Sequence, residues 1–145
     1  MDVYDTDGLF VRSFGEGTLK FACDITAAND GRVMVVDWDK GDSCVHIFGE
    51  HGHHLNKFEL QGRTRCDYAR ITFHMLSDHV VIAGNKEEPV LEIFTKDGEF
   101  VRSTQIHEDT DEERIDFISR LTVTSDGQIA LLLRYIDGKR KVLVI

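Results

Sequence analysis

The stretch that decides the fold of this chain is Asp24-Ile25-Thr26-Ala27-Ala28-Asn29-Asp30-Gly31-Arg32-Val33-Met34-Val35-Val36-Asp37. It predicts two short strands joined by a turn at Asn29-Asp30-Gly31, because an Asp-Gly pair suits a tight hairpin in which Gly adopts positive φ. The second strand, Val33–Val36, is apolar at every position, which indicates burial on both of its faces. Variants of the same pattern occur twice more along the chain.

Three sets of anchor residues recur in one order along the sequence. Small apolar strands end at Tyr4, Phe48, Phe94 and Ile145, which are 44, 46 and 51 residues apart. A Gly lies four residues beyond each of the first three ends, and an apolar-Thr pair opens each later unit. The glycines are Gly8, Gly52 and Gly98, and the pairs are Ile25-Thr26, Ile71-Thr72 and Leu121-Thr122. Self-similarity at this period predicts a repeat architecture.

Each unit predicts four short antiparallel strands: one before the turn, an apolar one after it, one that ends at the anchor, and one after the Gly. Four such strands repeated about every 40–50 residues are typical of a β-propeller blade. We therefore predict an all-β fold of about three four-stranded blades, half of a six-bladed ring. A β-sandwich would need no such period, and its strands would alternate apolar and polar residues.

The repeats divide residues 1–145, read as a single propeller segment, into a blade remnant (1–20), two repeats (21–62 and 63–108) and a partial repeat (109–145). In the second repeat the turn is Ser77-Asp78-His79, where His79 takes the place of Gly. The acidic stretch 109–118 is expected to form a solvated loop or a short helical turn between repeats.

The run Asp30–Asp37, followed by Val45-His46-Ile47-Phe48 and Gly52, resembles an NHL repeat. That family's pattern is an Asp-Gly turn, a strand ending in Asp, a loop, an apolar strand ending in Phe, and a closing turn with Gly. Three such repeats cover essentially the whole chain, with Asn85 and Arg134 near the strand-ending Asp position of the later two. The family's usual Arg ahead of the apolar strand is replaced by Cys44, Val90 and Lys141.

The resemblance implies a six-bladed propeller of the kind that often forms the C-terminal part of tripartite-motif ubiquitin ligases. In that setting such propellers serve as substrate-binding or RNA-binding platforms. We therefore expect a non-enzymatic, protein-binding scaffold in a ligase-like protein. The alternative is a propeller that binds single-stranded RNA.

Charge and cysteine content narrow the class of partner. The net charge is −9, whereas proteins that bind phosphate backbones usually concentrate positive charge. This balance favours a protein partner. Three cysteines without a CxxC spacing favour free buried thiols in a reducing compartment, with a disulfide as the alternative. No apolar run approaches the length of a membrane span. We expect a cytoplasmic protein without membrane association.

Three blades cannot close a ring, so two lateral blade faces would lie open. Apolar surfaces of that size predict association. We expect two copies to close one six-bladed ring, with the stretch Phe10–Phe14 of each completing the sheet left open at Val142–Ile145 of the other. The rival is that the chain is half of a longer propeller. The expected interface residues are Phe10, Val11, Phe14, Val142 and Val144.

Trp38 is the candidate partner anchor. It is flanked by Asp37 and Asp39 on what the sequence predicts to be an exposed loop, and an aromatic residue within a polar rim is a common binding hot spot. The alternative is that Trp38 packs between blades.

The candidate RNA-binding residues are arginines that precede first strands in two repeats. Equivalent positions share one face of a propeller, so these arginines could form a local basic patch. The alternative is that they pair with nearby acids. The residues are Arg63, Arg65, Arg70 and Arg120.

No sequence pattern predicts catalysis, a metal site or a cofactor. His51 and His53 could share a side of their turn, but no carboxylate or cysteine is expected beside the histidines of the span 45–55 to complete a zinc site. The acidic residues 109–113 lack the spacing of an EF-hand. GxSxG, CxxC, P-loop and HExxH motifs are absent from the sequence.

Overall fold

The computed structural model describes residues 1–39, 41–61, 69–85, 89–106 and 115–145, which form four antiparallel sheets and, within those ranges, no helix. In the described part of the chain, accordingly, no helix is long and apolar enough to cross a membrane. Strand order within each sheet follows the chain, so every sheet is a simple meander.

We name the sheets in chain order. The terminal pair is β1 (Asp2–Tyr4) and β2 (Phe10–Ser13); the first blade is β3 (Ala22–Ala27), β4 (Val33–Asp39), β5 (Asp42–Phe48) and β6 (His54–Glu59); the second blade is β7 (Arg70–His74), β8 (His79–Asn85), β9 (Pro89–Thr95) and β10 (Phe100–Gln105); the third blade is β11 (Ile115–Val123), β12 (Ile129–Tyr135) and β13 (Arg140–Val144).

Two apolar clusters lie between neighbouring blades. Met34 and Val36 of β4 pack against Ile71 and Val80 of the second blade. On the far side of the second blade, the alternate residues of β8 join the third blade in the other cluster. The strands β4 and β8 are therefore buried on both faces, as their unbroken apolar sequences predict.

The first strands of successive blades lie side by side and are joined by hydrogen bonds. The Asp24 carboxylate and the Thr26 hydroxyl accept the backbone N–H groups of Ile71 and Phe73, at 3.0 and 3.1 Å. Arg70 donates from Nε to the Ser119 carbonyl of the third blade at 3.0 Å. Radially stacked four-stranded meanders with their first strands innermost define a β-propeller. The predicted all-β propeller fold is confirmed.

The Gly anchors mark contacts between the fourth strand of one blade and the closing turn of the next. Phe58 packs on Phe94 with ring centroids 4.7 Å apart, and a Cβ at Gly98 would come within 2.6 Å of the Phe58 ring. Phe14 meets Phe48 and Gly52 in the same way. At Gly52 and Gly98 the Gly four residues after the anchor thus has a steric cause, whereas a Cβ at Gly8 would meet nothing within 4 Å and only its positive φ of 79° favours Gly.

The turn of the second blade differs from the sequence alignment. Asp78, rather than His79, adopts a positive φ (58°), as Gly31 (82°) and Gly127 (86°) do in the other blades, and His79 already belongs to β8. Asp tolerates this conformation because its short polar side chain can bond locally. The position that corresponds to the turn Gly is therefore Asp78, one residue earlier than the sequence alignment predicts.

The third blade begins earlier than predicted. Its first strand runs from Ile115 rather than from Leu121, so residues 115–118 belong to β11 and the expectation of a loop there is wrong. Residues 109–114 lie outside the described ranges. By register the counterparts of Asp37 are Gly84 and Leu133, not the neighbouring residues chosen from sequence.

Adding a methyl group at Gly98 should destabilise the protein more than adding one at Gly138. Both residues have positive φ, 93° and 88°, so Ala carries similar backbone strain at each. Only at Gly98 does the new Cβ meet another side chain, that of Phe58. We expect Gly98→Ala to cost about 1–3 kcal/mol more than Gly138→Ala in urea unfolding, because of overpacking. Equal costs would show that the contact between blades is not tight.

Candidate functional site

The end of β4 places Asp37, Trp38 and Asp39 in a strand and not in the exposed loop that the sequence predicted. Side chains alternate along a strand, so neighbours face opposite sides. Trp38 is 38% exposed, whereas Asp37 is completely buried. Asp37 therefore does not lie on the surface with Trp38, and Asp39 is half-buried.

The Asp37 carboxylate holds the chain segment that enters the first blade. Its two oxygens accept the backbone N–H of Lys20 at 3.1 and 3.0 Å, and Oδ1 accepts that of Phe21 at 2.6 Å. The Trp38 backbone N–H in turn donates to the Phe21 carbonyl at 3.2 Å. These bonds fix Phe21 beside Trp38.

Phe21 and Trp38 form an exposed aromatic pair. Their ring centroids lie 6.2 Å apart at an interplanar angle of 86°, an edge-to-face arrangement. Phe21 is 67% exposed, more than Trp38 itself. No sequence spacing predicts the contact of Phe21 with Trp38, because it depends on the hydrogen bonds between the connector and Asp37.

A buried polar cluster lies on the same face of the first blade as Asp37. Strand pairing sets Cys44 directly opposite Asp37, and His46 follows two residues later on the same side of β5. His46 Nε2 lies 3.8 Å from Asp37 Oδ2, and His46 Nδ1 lies 3.0 Å from His54 Nε2. The ligand atoms of Asp37, Cys44 and His46 all lie within 4.8 Å of one another. We call these three residues the Asp–Cys–His cluster.

This cluster corrects the expectation that no carboxylate or cysteine accompanies the histidines. The sequence predicts an exposed loop around Trp38, whereas β4 extends to Asp39 and β5 begins at Asp42, so the two strands form a tight hairpin there. Burial raises the pKa of the Cys44 thiol, and the positive charge of Lys57 offsets part of this rise. Burial also lowers the pKa of His46, with the Asp37 carboxylate acting in the opposite direction.

The cysteines differ in state. Cys44 is free and buried, as predicted. Cys23 forms a disulfide bond, so the prediction of a free thiol is wrong at that position. Cys66 lies outside the described residues.

The predicted arginine patch is described only in part. Arg63 and Arg65 lie outside the described residues. Arg70 and Arg120 occupy equivalent positions on β7 and β11, and both donate to the carbonyl of Ser119, at 3.0 and 2.9 Å. Arg70 thus joins two blades, while Arg120 remains exposed beyond the same carbonyl.

The predicted interface residues differ in exposure. Phe10, Val11, Val142 and Val144 are all about half exposed or more. Phe14, by contrast, packs on Phe48 within the molecule. β1 also already pairs with β2, on the side where a third strand of the same blade would lie.

Comparison with known proteins supports the fold alone. Neither a protein-family model nor a curated protein sequence matches the chain. Among solved structures, the Dos1 propeller matches 96% of the chain at 13% identity with a TM-score of 0.62, and the match covers 34% of that chain. A eukaryotic initiation factor matches 95% of the chain at 11% identity and a TM-score of 0.57, covering 35% of its own length. A GH43 β-1,3-galactosidase matches 100% at 11% identity and a TM-score of 0.57, covering 34% of its own length.

At these identities the matches show that the chain has the β-propeller fold, and the family within that fold is left open. The chain spans only about a third of the length of each of these structures. These structural neighbours are proteins of different kinds, among them a GH43 β-1,3-galactosidase and a eukaryotic initiation factor.

Replacing Asp37 should destabilise the protein far more than replacing Asp39. Asp37→Ala removes the acceptor of the part-buried backbone N–H groups of Lys20 and Phe21, and each lost bond to a charged acceptor costs about 1–3 kcal/mol. We expect a loss of about 2–4 kcal/mol in chemical denaturation, against less than about 0.5 kcal/mol for Asp39→Ala. A similar small loss for both variants would contradict the anchoring role of Asp37.

Proposed function

We propose that this chain is a non-enzymatic protein-binding module, an NHL-type propeller in a ubiquitin-ligase-like setting. The observation that carries the proposal is the exposed aromatic pair, Phe21 and Trp38, held rigidly by the buried Asp37 carboxylate. Large aromatic side chains that are already fixed lose little conformational entropy on binding, and such residues dominate the energetics of protein interfaces.

The charge of the chain supports a protein partner over a nucleic acid. A net charge of −9 opposes the phosphate contacts that supply most of the affinity for RNA. Arg70, one of the candidate RNA contacts, is already engaged in joining two blades. Arg70 therefore offers less to a ligand than the sequence alone indicates.

Loss of the aromatic pair should abolish partner capture while the fold is retained. We expect Trp38→Ala and Phe21→Ala each to reduce the captured partner protein at least about tenfold, equivalent to about 1.4 kcal/mol. Met75→Ala is the matched control, since Met75 is an equally exposed apolar residue away from the pair. Quantitative mass spectrometry of proteins retained by the immobilised variants measures the effect.

The RNA alternative makes the opposite prediction in the same experiment. Capture by the aromatic pair should survive nuclease treatment and salt of about 0.5 M, whereas RNA affinity falls steeply with salt. Binding of a single-stranded RNA oligonucleotide that vanishes when Arg63, Arg65 and Arg70 are changed to Glu would favour the alternative. Capture that is indifferent to Trp38→Ala would overturn the proposal.

We also propose that two copies of the chain close one ring. The support for this proposal is exposed apolar surface at both ends of the chain. It comprises Val142 and Val144 on the open face of the third blade, and Phe10 and Val11 of the terminal pair. Covering them with a second copy removes this surface from water. Because β1 already lies beside β2, we infer that the blades meet mainly by face packing and that Phe14 remains in its own core.

Sedimentation velocity tests the dimer. We expect a dimer at micromolar concentration, and a monomer for the double variant Val142→Asp and Val144→Asp with unchanged circular dichroism. The two substitutions place two carboxylates on the open face of the third blade. Burying these charges without a partner of opposite charge is costly, so the interface between two copies should not form. A stable monomer of the unaltered chain would contradict the dimer without affecting the aromatic-pair proposal.

A further inference from the structure

We propose that the Asp–Cys–His cluster of the first blade, Asp37, Cys44 and His46, is a zinc-binding site. The three residues offer one carboxylate oxygen, one sulfur and one imidazole nitrogen from two adjacent strands. This ligand set suits Zn²⁺, which takes Cys, His and carboxylate ligands in tetrahedral geometry. Three protein ligands leave the fourth position for water.

The spacing of the ligand atoms approaches that of a tetrahedral centre. Bonds of about 2.0–2.3 Å from one ion place neighbouring ligand atoms roughly 3.3–3.7 Å apart. His46 Nε2 and Asp37 Oδ2 are 3.8 Å apart, and no pair in the cluster exceeds 4.8 Å. The widest separation must therefore shorten by about 1 Å when an ion binds.

The groups around the cluster orient its ligands. His46 Nδ1 is within hydrogen-bonding distance of His54 Nε2, which leaves Nε2 of His46 to face Asp37. Histidines that bind metals almost always engage their second ring nitrogen in such a bond. The Asp37 carboxylate accepts the backbone N–H groups of Lys20 and Phe21, and its Oδ2 lies 3.8 Å from His46 Nε2.

Charge balance favours an ion at this place. Asp37, Cys44 and His46 are all buried. A Zn²⁺ ion bound by one carboxylate and one thiolate has no net charge, so the filled site avoids the cost of an unpaired buried charge. Among the described residues of the other two blades, Gly84 and Leu133 take the register position of Asp37, and neither offers a metal ligand.

The test uses Co²⁺ as a spectroscopic probe and then Zn²⁺ itself. The chain is freed of metal with a chelator and titrated with Co²⁺. We expect a single bound ion, with a thiolate-to-cobalt charge-transfer band in the near ultraviolet and the visible bands of tetrahedral cobalt. Zn²⁺ should displace both in equimolar amount. X-ray absorption of the zinc form should show one sulfur at about 2.3 Å and lighter ligands at about 2.0 Å.

Variants assign the site. Cys44→Ser should remove the charge-transfer band and weaken Co²⁺ binding at least about tenfold, and His46→Gln should weaken it similarly. The control is the double variant His51→Gln and His53→Gln, which alters two exposed histidines of the β5–β6 turn and should leave binding unchanged. X-ray absorption on the unaltered chain decides the ligand set even if a cluster variant fails to fold.

Three results would overturn the proposal: no stoichiometric metal in the folded chain, a bound metal without a sulfur ligand, or loss of binding in the His51 and His53 control. The outcome is independent of partner capture, since the aromatic pair is read out by Trp38→Ala and the cluster by Cys44→Ser.

Discussion

The architecture depends on the burial of β4 and β8 from both sides. The strand β8 supplies alternate apolar side chains to two different clusters, Val80 and Ile82 to one and Val81 and Ala83 to the other. The strand β4 supplies Met34 and Val36 to the cluster it shares with the second blade, and its Val35 is buried on the opposite face. A fully buried Val or Ile contributes about 1.5–3 kcal/mol of transfer free energy, so a run of four outweighs any single polar contact at the rim. The rim and the turns are therefore free to differ between blades, and the candidate site lies where they differ.

Sequence reasoning recovered the features that depend on spacing within one strand or turn. The apolar runs, the Asp-Gly turns and the Gly four residues after each anchor were sufficient for the strand order and the propeller fold, because each reports a local steric or burial requirement. Of the aromatic pair, the sequence pointed only to Trp38, as a single exposed aromatic residue, and not to Phe21.

What the sequence could not give is the contact between side chains on different strands. The Asp–Cys–His cluster requires the register in which Asp37 faces Cys44, and a slip of one residue would turn every one of these side chains to the opposite face. A loop around Trp38, as the sequence predicts, has no strand register, and the pairing of Asp37 with Cys44 could therefore not be predicted. The same error placed Asp37 on the surface beside Trp38, although alternation along a strand puts the two on opposite faces.

Buried carboxylates tie the incoming connectors to two of the blades. Asp37 on β4 accepts the N–H groups of Lys20 and Phe21, and the buried Glu92 on β9 accepts the N–H of Gln61 at 3.2 Å. The two acids lie on different strands of their blades. They therefore share a structural role, although they do not occupy equivalent positions in the repeat. A connector held by a carboxylate is fixed more firmly than one held by neutral bonds, because charge-assisted hydrogen bonds are roughly twice as strong. In the first blade that firmness extends to Phe21, which explains how an aromatic ring with most of its surface in water keeps a defined orientation beside Trp38.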